Sequence, residues 1–170
     1  IIFGNSGGVS EAVLRCAVEK LTGQPLANPD FYPVRGEDGV RFADLSVHDT
    51  RLRLAVVHGL KNARILAEKV RRGEHALDLI EVMACPGGCV GGAGQPVSRG
   101  AAARQSRARG LYDADKHLEL HKSQENPFVT GCYQRHLGEV GGHEAHQLLH
   151  TRYENRRSPA PSEPPAHGTL

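Results

Sequence analysis

Cys85 and Cys89 are separated by Pro86-Gly87-Gly88 within Met83-Ala84-Cys85-Pro86-Gly87-Gly88-Cys89-Val90-Gly91-Gly92-Ala93-Gly94-Gln95-Pro96, which holds five glycines and two prolines in fourteen residues. That composition forbids a regular element. The glycines let the backbone wrap closely around a bulky object and turn amide N–H groups toward it. Two thiols this close can grip the same object. An iron–sulfur cubane asks for soft thiolates, close backbone approach and N–H donors to sulfur. Zinc would need two more Cys or His, typically a second pair roughly fifteen to twenty residues away. No such pair follows this loop. A glycine-rich structural loop with two idle cysteines is the third reading.

Other constellations are weaker. Gly4-Asn5-Ser6-Gly7-Gly8 fits the G-x-S-x-G nucleophile elbow, which would make Ser6 the acylating nucleophile of a serine hydrolase. It fits equally a glycine turn with Ser6 satisfying free N–H groups at a helix N-terminus. The Gly-Lys-Ser/Thr ending of a phosphate-binding loop is missing. His143, His146 and His150 can share one helix face, either as transition-metal ligands or as a polar, partner-facing surface. Arg104, Arg107 and Arg109 belong to a basic stretch that reads as a solvated helix face, with attraction of an acidic electron carrier as the functional alternative. Cys16 and Cys132 fall among apolar neighbours at helical spacing and read as small core residues.

The elements that must position the loop follow from periodicity. Ile1-Ile2-Phe3 reads as the end of a strand, so the chain opens in mid-structure with something upstream. A helix follows, with Val9, Ala12, Val13, Cys16, Ala17 and Leu21 at helical spacing and Gly23 ending it. Residues 24–50 read as a loop or small hairpin around Gly36-Glu37-Asp38-Gly39. Residues 53–58 read as a strand, 62–72 as a helix and 76–82 as a second strand. This βαβ unit predicts an α/β fold with a parallel sheet and functional loops at the carboxyl ends of its strands. The cysteine loop leaves from that end. Helices are expected over 99–115, 126–137 and 143–153, and a Pro-rich disordered tail over 155–170.

With 170 residues, 39% of them hydrophobic, one compact core is the prior. A net charge of +2, from 21 basic and 19 acidic residues spread along the chain, gives no block directed at nucleic acid or a membrane surface. No run approaches the roughly 18 apolar residues of a membrane span. Four unevenly spaced cysteines do not make a disulfide framework, so reduced thiols or metal ligation fit better. The default compartment is the cytoplasm, with a periplasmic location possible through a companion subunit carrying an export signal.

Met83-Ala84-Cys85-Pro86-Gly87-Gly88-Cys89 followed by Gly92-Ala93-Gly94-Gln95-Pro96 closely resembles the third cluster-binding motif of iron-only (FeFe) hydrogenases. Ile2-Phe3-Gly4, Gly7-Gly8-Val9, Glu11-Ala12 and Leu14-Arg15 resemble that family's glycine-rich turn and helix, and His58-Gly59-Leu60 with Asn62-Ala63-Arg64 its strand-to-helix corner. Leu111-Tyr112, Asp115, Lys122-Ser123, Glu125-Asn126-Pro127, Leu137-Gly138 and Leu148-Leu149-His150-Thr151 resemble the segment that some members carry as a separate small subunit. The resemblance implies the second lobe of a two-lobed catalytic domain over residues 1–122, a small-subunit-like helical segment over 123–154, and a tail over 155–170.

It further implies an H-cluster, a 4Fe-4S cubane linked to a diiron subsite, and reversible reduction of protons to dihydrogen. Cys85 would ligate the cubane and Cys89, the catalytic ligand, would bridge it to the diiron subsite. Phe3 and Met83 would line the diiron pocket, and Gly4 would allow close backbone approach. Ala93 stands where the family often has glycine. The family's two earlier cysteines have no counterpart here, so this chain alone is expected to be inactive without an upstream segment or subunit that supplies them. A redox carrier such as a ferredoxin, a nicotinamide-linked subunit or another carrier is the expected electron partner. A cluster-bearing assembly or sensor protein without hydrogen turnover is the alternative.

Overall fold

Leu54-Ala55-Val56-Val57 is an apolar run too uniform for a strand with one wet face, and the fold buries both of its faces. In the computed structural model of the chain, which describes residues 1–97, 100–152 and 154, these residues lie in the central strand β2, Thr50–His58. Leu54 and Val56 pack with Leu14, Val34 and Ala43 on one side of the sheet. Ala55 and Val57 pack with Leu66 on the other. Helix α1, Gly8–Thr22, supplies Leu14, and helix α2, Leu60–Arg71, supplies Leu66.

β2 pairs antiparallel with β1, Val40–Val47, and parallel with β3, Leu79–Met83, in the order β1-β2-β3. β2, α2 and β3 are the expected βαβ unit, and β1 makes the sheet mixed. Because His58 is in register with Met83, the two parallel strands end side by side, and the cysteine loop leaves from that end.

Three local expectations are corrected. Ile1–Phe3 is not a strand end: Ile2–Gly4 forms a 3-10 turn, closed by the Asn5 N–H on Ile2 O at 2.9 Å. The hairpin turns at His48 and Asp49, not at 36–39, because β1 starts at Val40 and its inward face carries Arg41 beside Ala43, which obscures the alternation. α1 ends as expected, with Gly23 left-handed at φ 65° and its N–H on Glu19 O. Yet its buried face holds Ser10, Glu11, Leu14 and Arg15, whereas Val9, Val13 and Leu21 from the apolar stripe are exposed. Mutual neutralisation of Glu11 and Arg15, 3.0 Å apart, makes that polar face buriable.

Helix α3, Ala101–His117, completes the first compact unit, Ile1–Asn126. The second unit contains α4, Pro127–Cys132, a π-helical turn over Tyr133–Leu137, and α5, His143–Leu149. Leu137 and Ala145 are its buried apolar residues. The expected continuous helix over 126–137 therefore changes pitch, with the Gly138 N–H reaching back to Tyr133 O at 2.8 Å. The tail expected over 155–170 lies outside the described residues.

Candidate metal centre

β3 delivers Met83 to the rim of the sheet, where its carbonyl accepts the Gly59 N–H at 2.8 Å. The loop beyond folds on itself: Gly88 N–H donates to Cys85 O, and Gly92 N–H to Cys89 O, each at 3.0 Å. Cys89–Gly91 is a 3-10 turn. The loop is seated against the first turn of the chain, since the Ser6 N–H donates to Gly87 O at 3.0 Å. Gly88 is required there. Its φ is +94°, and a Cβ would stand 2.7 Å from both Gly4 O and Ser6 N.

All four cysteines are free; Cys85 is half-buried and Cys89 exposed. Phe3 is exposed, while Gly4 and Met83 are half-buried. Gly4 also has a packing role, because a Cβ on it would come 2.7 Å from Leu111 Cδ1 of α3. Ala93 is exposed, so its methyl group meets solvent rather than the loop. Cys16 and Cys132 are half-buried.

A buried polar layer holds these pieces. Glu81 of β3 accepts the N–H groups of Gly7 and Ser10 at 2.6 and 2.7 Å, so its carboxylate meets the positive end of α1. Arg41 donates to Ser6 O at 3.0 Å, Ser6 Oγ at 3.1 Å and Asp38 O at 2.6 Å. Burial lowers the guanidinium pKa of Arg41, and the nearby Glu81 charge opposes that shift. Arg15 joins Glu11 to Asp115 of α3, with Nη2 to Asp115 Oδ2 at 2.7 Å. Arg107 of α3 donates to Val90 O and Pro96 O at 3.1 and 2.7 Å. The basic helix is therefore not simply a solvated face.

Between the loop and α3 lies a cavity of about 290 Å³, lined by Asn5, Ser6, Glu37, Arg104 and Tyr112 among others. Asn5 Oδ1 and Tyr112 OH are buried without hydrogen-bond partners of good geometry. Burial, reinforced by the Glu11 charge, pushes the Tyr112 phenol up to about 12.

The competing constellations do not assemble. Ser6 is buried, and its hydroxyl faces Arg41 rather than a histidine. Among described residues His48 is the one non-glycine position with positive φ, so Ser6 lacks the strained backbone of a nucleophile elbow. His146 and His150 have ring centroids 4.4 Å apart, and with His143 they border an open cavity. Among the described residues no group of three or more His, Cys, Asp or Glu is arranged to hold a metal ion. Two free thiols on a loop shaped by glycine are a donor set of the kind that thiolate-ligated iron–sulfur clusters take.

Sequence reading missed Glu81 and Arg41, and it named Arg107 without its contact with the loop. Glu81 gave a signal, a lone carboxylate inside a strand run; Arg107 gave only its place among other arginines.

Comparison with known proteins agrees with the loop. Residues 1–93 match the model of the iron only hydrogenase large subunit, C-terminal domain, and residues 101–156 match the iron hydrogenase small subunit. The chain is 47% identical over 157 residues to the NADP-reducing hydrogenase subunit HndD of Solidesulfovibrio fructosivorans, covering 92% of this chain and 27% of that protein. It is 33% identical over 163 residues to cytosolic iron-sulfur assembly component 3 of Mus musculus, covering 92% of this chain and 33% of that protein. A structure of [FeFe]-hydrogenase HydA1 from Chlamydomonas reinhardtii superposes with a TM-score of 0.69 at 38% identity, covering 90% of this chain and 46% of that one. The chain thus spans about a quarter to a third of these curated relatives.

Proposed function

The chain belongs to the iron-only hydrogenase family, and from that premise we propose that it is the half of an H-cluster site that contributes Cys85 and Cys89. The observation that carries this reading is the loop itself: two free thiols presented at the carboxyl end of a parallel strand pair, on a backbone that glycine keeps thin. Cys85 would bind the 4Fe-4S cubane, and Cys89 would link it to the diiron subsite. When bound, that group supplies the redox chemistry, in which two protons and two electrons give dihydrogen, reversibly.

The protein's own residues bind, orient and exclude water. Phe3 and Met83 would line the diiron pocket with apolar surface, Gly4 keeps the turn against α3, and the Ser6 to Gly87 hydrogen bond seats the loop. Two thiolates do not complete a cubane, so a further segment or subunit must supply the remaining ligands. The isolated chain is then inactive, and a ferredoxin-like or nicotinamide-linked carrier delivers electrons to the complete protein. We place the lobe at residues 1–122 and the small-subunit-like segment at 123–154. No helix among the described residues is long and apolar enough to cross a membrane; a cytoplasmic location is part of the same proposal.

A second reading, a cluster-carrying assembly or sensor protein, is favoured by the similarity to the assembly component. Pro86-Gly87-Gly88 with Phe3 and Met83, and the higher identity to a hydrogenase subunit, favour turnover. The deciding assay is hydrogen evolution from a reduced viologen dye by the anaerobically matured full-length protein. Hydrogen production supports the enzyme; a loaded cluster with no hydrogen in either direction supports the assembly or sensor role. Hydrogen evolution by the isolated 170 residues would contradict the half-site.

A further inference from the structure

Arg107 reaches from α3 across the cysteine loop and donates to two of its carbonyls, Nη1 to Val90 at 3.1 Å and Nη2 to Pro96 at 2.7 Å. Val90 is the residue after Cys89, so the first of these bonds acts next to the thiol. The aliphatic chain of Arg104 lies against Gly87 and Gly91 of the same loop. α3 is itself fixed to the rest of the unit by Asn5 Nδ2 on Ala108 O at 3.2 Å and by the buried Arg15–Asp115 pair. Arg109 on the same helix is exposed and makes no hydrogen bond or ion pair with a described residue.

A loop this rich in glycine has much backbone entropy to lose, and since its internal bonds are short-range turns, the stretch beyond Gly87 can still pivot about its one backbone seat, the Ser6 N–H on Gly87 O. A planar guanidinium spanning two carbonyls removes that pivot, which a lysine, reaching one carbonyl at a time, does only in part. A fixed positive charge also favours an anionic occupant between nearby thiolates. The bond to Val90 joins the part of the chain that matches the large-subunit model to the part that matches the small-subunit model.

We propose that Arg107 is a positioning residue for the cysteine loop: its two-carbonyl latch from α3 fixes where Cys89 presents its sulfur. The effect on a bound group rests on the half-site reading above; the effect on the loop does not.

The test compares Arg107→Ala, Arg107→Lys, Arg107→Gln and Arg109→Ala with wild type in the full-length protein. It reads amide hydrogen exchange over residues 85–97, iron and sulfide content, and the cluster reduction potential. Arg107→Ala is expected to speed exchange in the loop roughly tenfold while the β2 core stays protected, and to lower iron content. Arg107→Lys should rescue in part and hold the potential, Arg107→Gln should shift it to more negative values, and Arg109→Ala should match wild type. Wild-type exchange in Arg107→Ala overturns the proposal, as does an equal effect in Arg109→Ala, which would reduce the contact to bulk charge. If Arg107→Ala loses core protection, Arg107→Lys and Arg107→Gln decide: loop exchange unchanged in both overturns the latch. If wild type carries no iron, the half-site reading fails, and loop exchange alone decides the latch.

Discussion

The carboxylate of Glu81 lies 2.6 Å from the backbone nitrogen of Gly7, bonding the strand that leads into the cysteine loop to the helix entry that the loop packs against. A second bond, to Ser10 N at 2.7 Å, makes the same side chain a two-point cap. Glu81 is 7% exposed, so water cannot replace either bond. Glu81→Ala should destabilise the protein by about 2–3 kcal/mol, the worth of charge-assisted bonds plus stranded donors. Glu81→Gln, which keeps one acceptor oxygen, should lose about half of that. Urea denaturation of the three proteins measures the difference.

Arg15 and Asp115 form a second tie, 100 residues apart in sequence and both buried. Removing Asp115 leaves Arg15 only Glu11 as a charged partner, which it shares with Arg35, and strands the guanidinium N–H groups that faced the lost carboxylate. Asp115→Ala should therefore cost about 2–3 kcal/mol. Thermal melting checks this, and a melt unchanged from wild type would mean that solvent reaches Arg15.

Glycine positions in the loop should not be equivalent. A Cβ at Gly88 would collide with the backbone of Gly4 and Ser6, whereas one at Gly94 meets nothing within 4 Å. Gly88→Ala should displace the loop and abolish iron binding. Gly94→Ala should leave iron content unchanged. Paired iron analyses of the two variants decide the point.

Tyr112 should titrate late. Its phenol, raised to about 12 by burial, stays neutral in the folded protein while the unfolded chain ionises near the ordinary value of about 10. The sign follows: the contribution of this group is intact below pH ~10 and falls away as pH rises from there toward 12. Ultraviolet titration should show a late tyrosine ionisation step, and Tyr112→Phe should remove it.

The βαβ unit and the cysteine loop were legible because each rests on local signals, an apolar run between turn residues and a glycine-rich cysteine motif. The buried face of α1 was not. Its apolar residues Val9 and Val13 face outward, and the inward face is Glu11 and Arg15, a pair that can be buried only because Asp115 and Arg35 arrive from distant sequence. Arg41 hid β1 for the same reason: an arginine on an inward strand face makes sense only when the Ser6 carbonyl is there to meet it. The two cysteines could be named from sequence, but what holds their loop, Arg107 and Glu81, depends on tertiary contacts that spacing does not encode.

The most direct test of the half-site is the iron and acid-labile sulfide content of the full-length protein, purified without oxygen after expression with functional maturation machinery, beside Cys85→Ala and Cys89→Ala. The account predicts a cluster in wild type and its loss or severe depletion in both variants. Iron-free wild-type protein, or iron and sulfide unchanged in both variants, would contradict it.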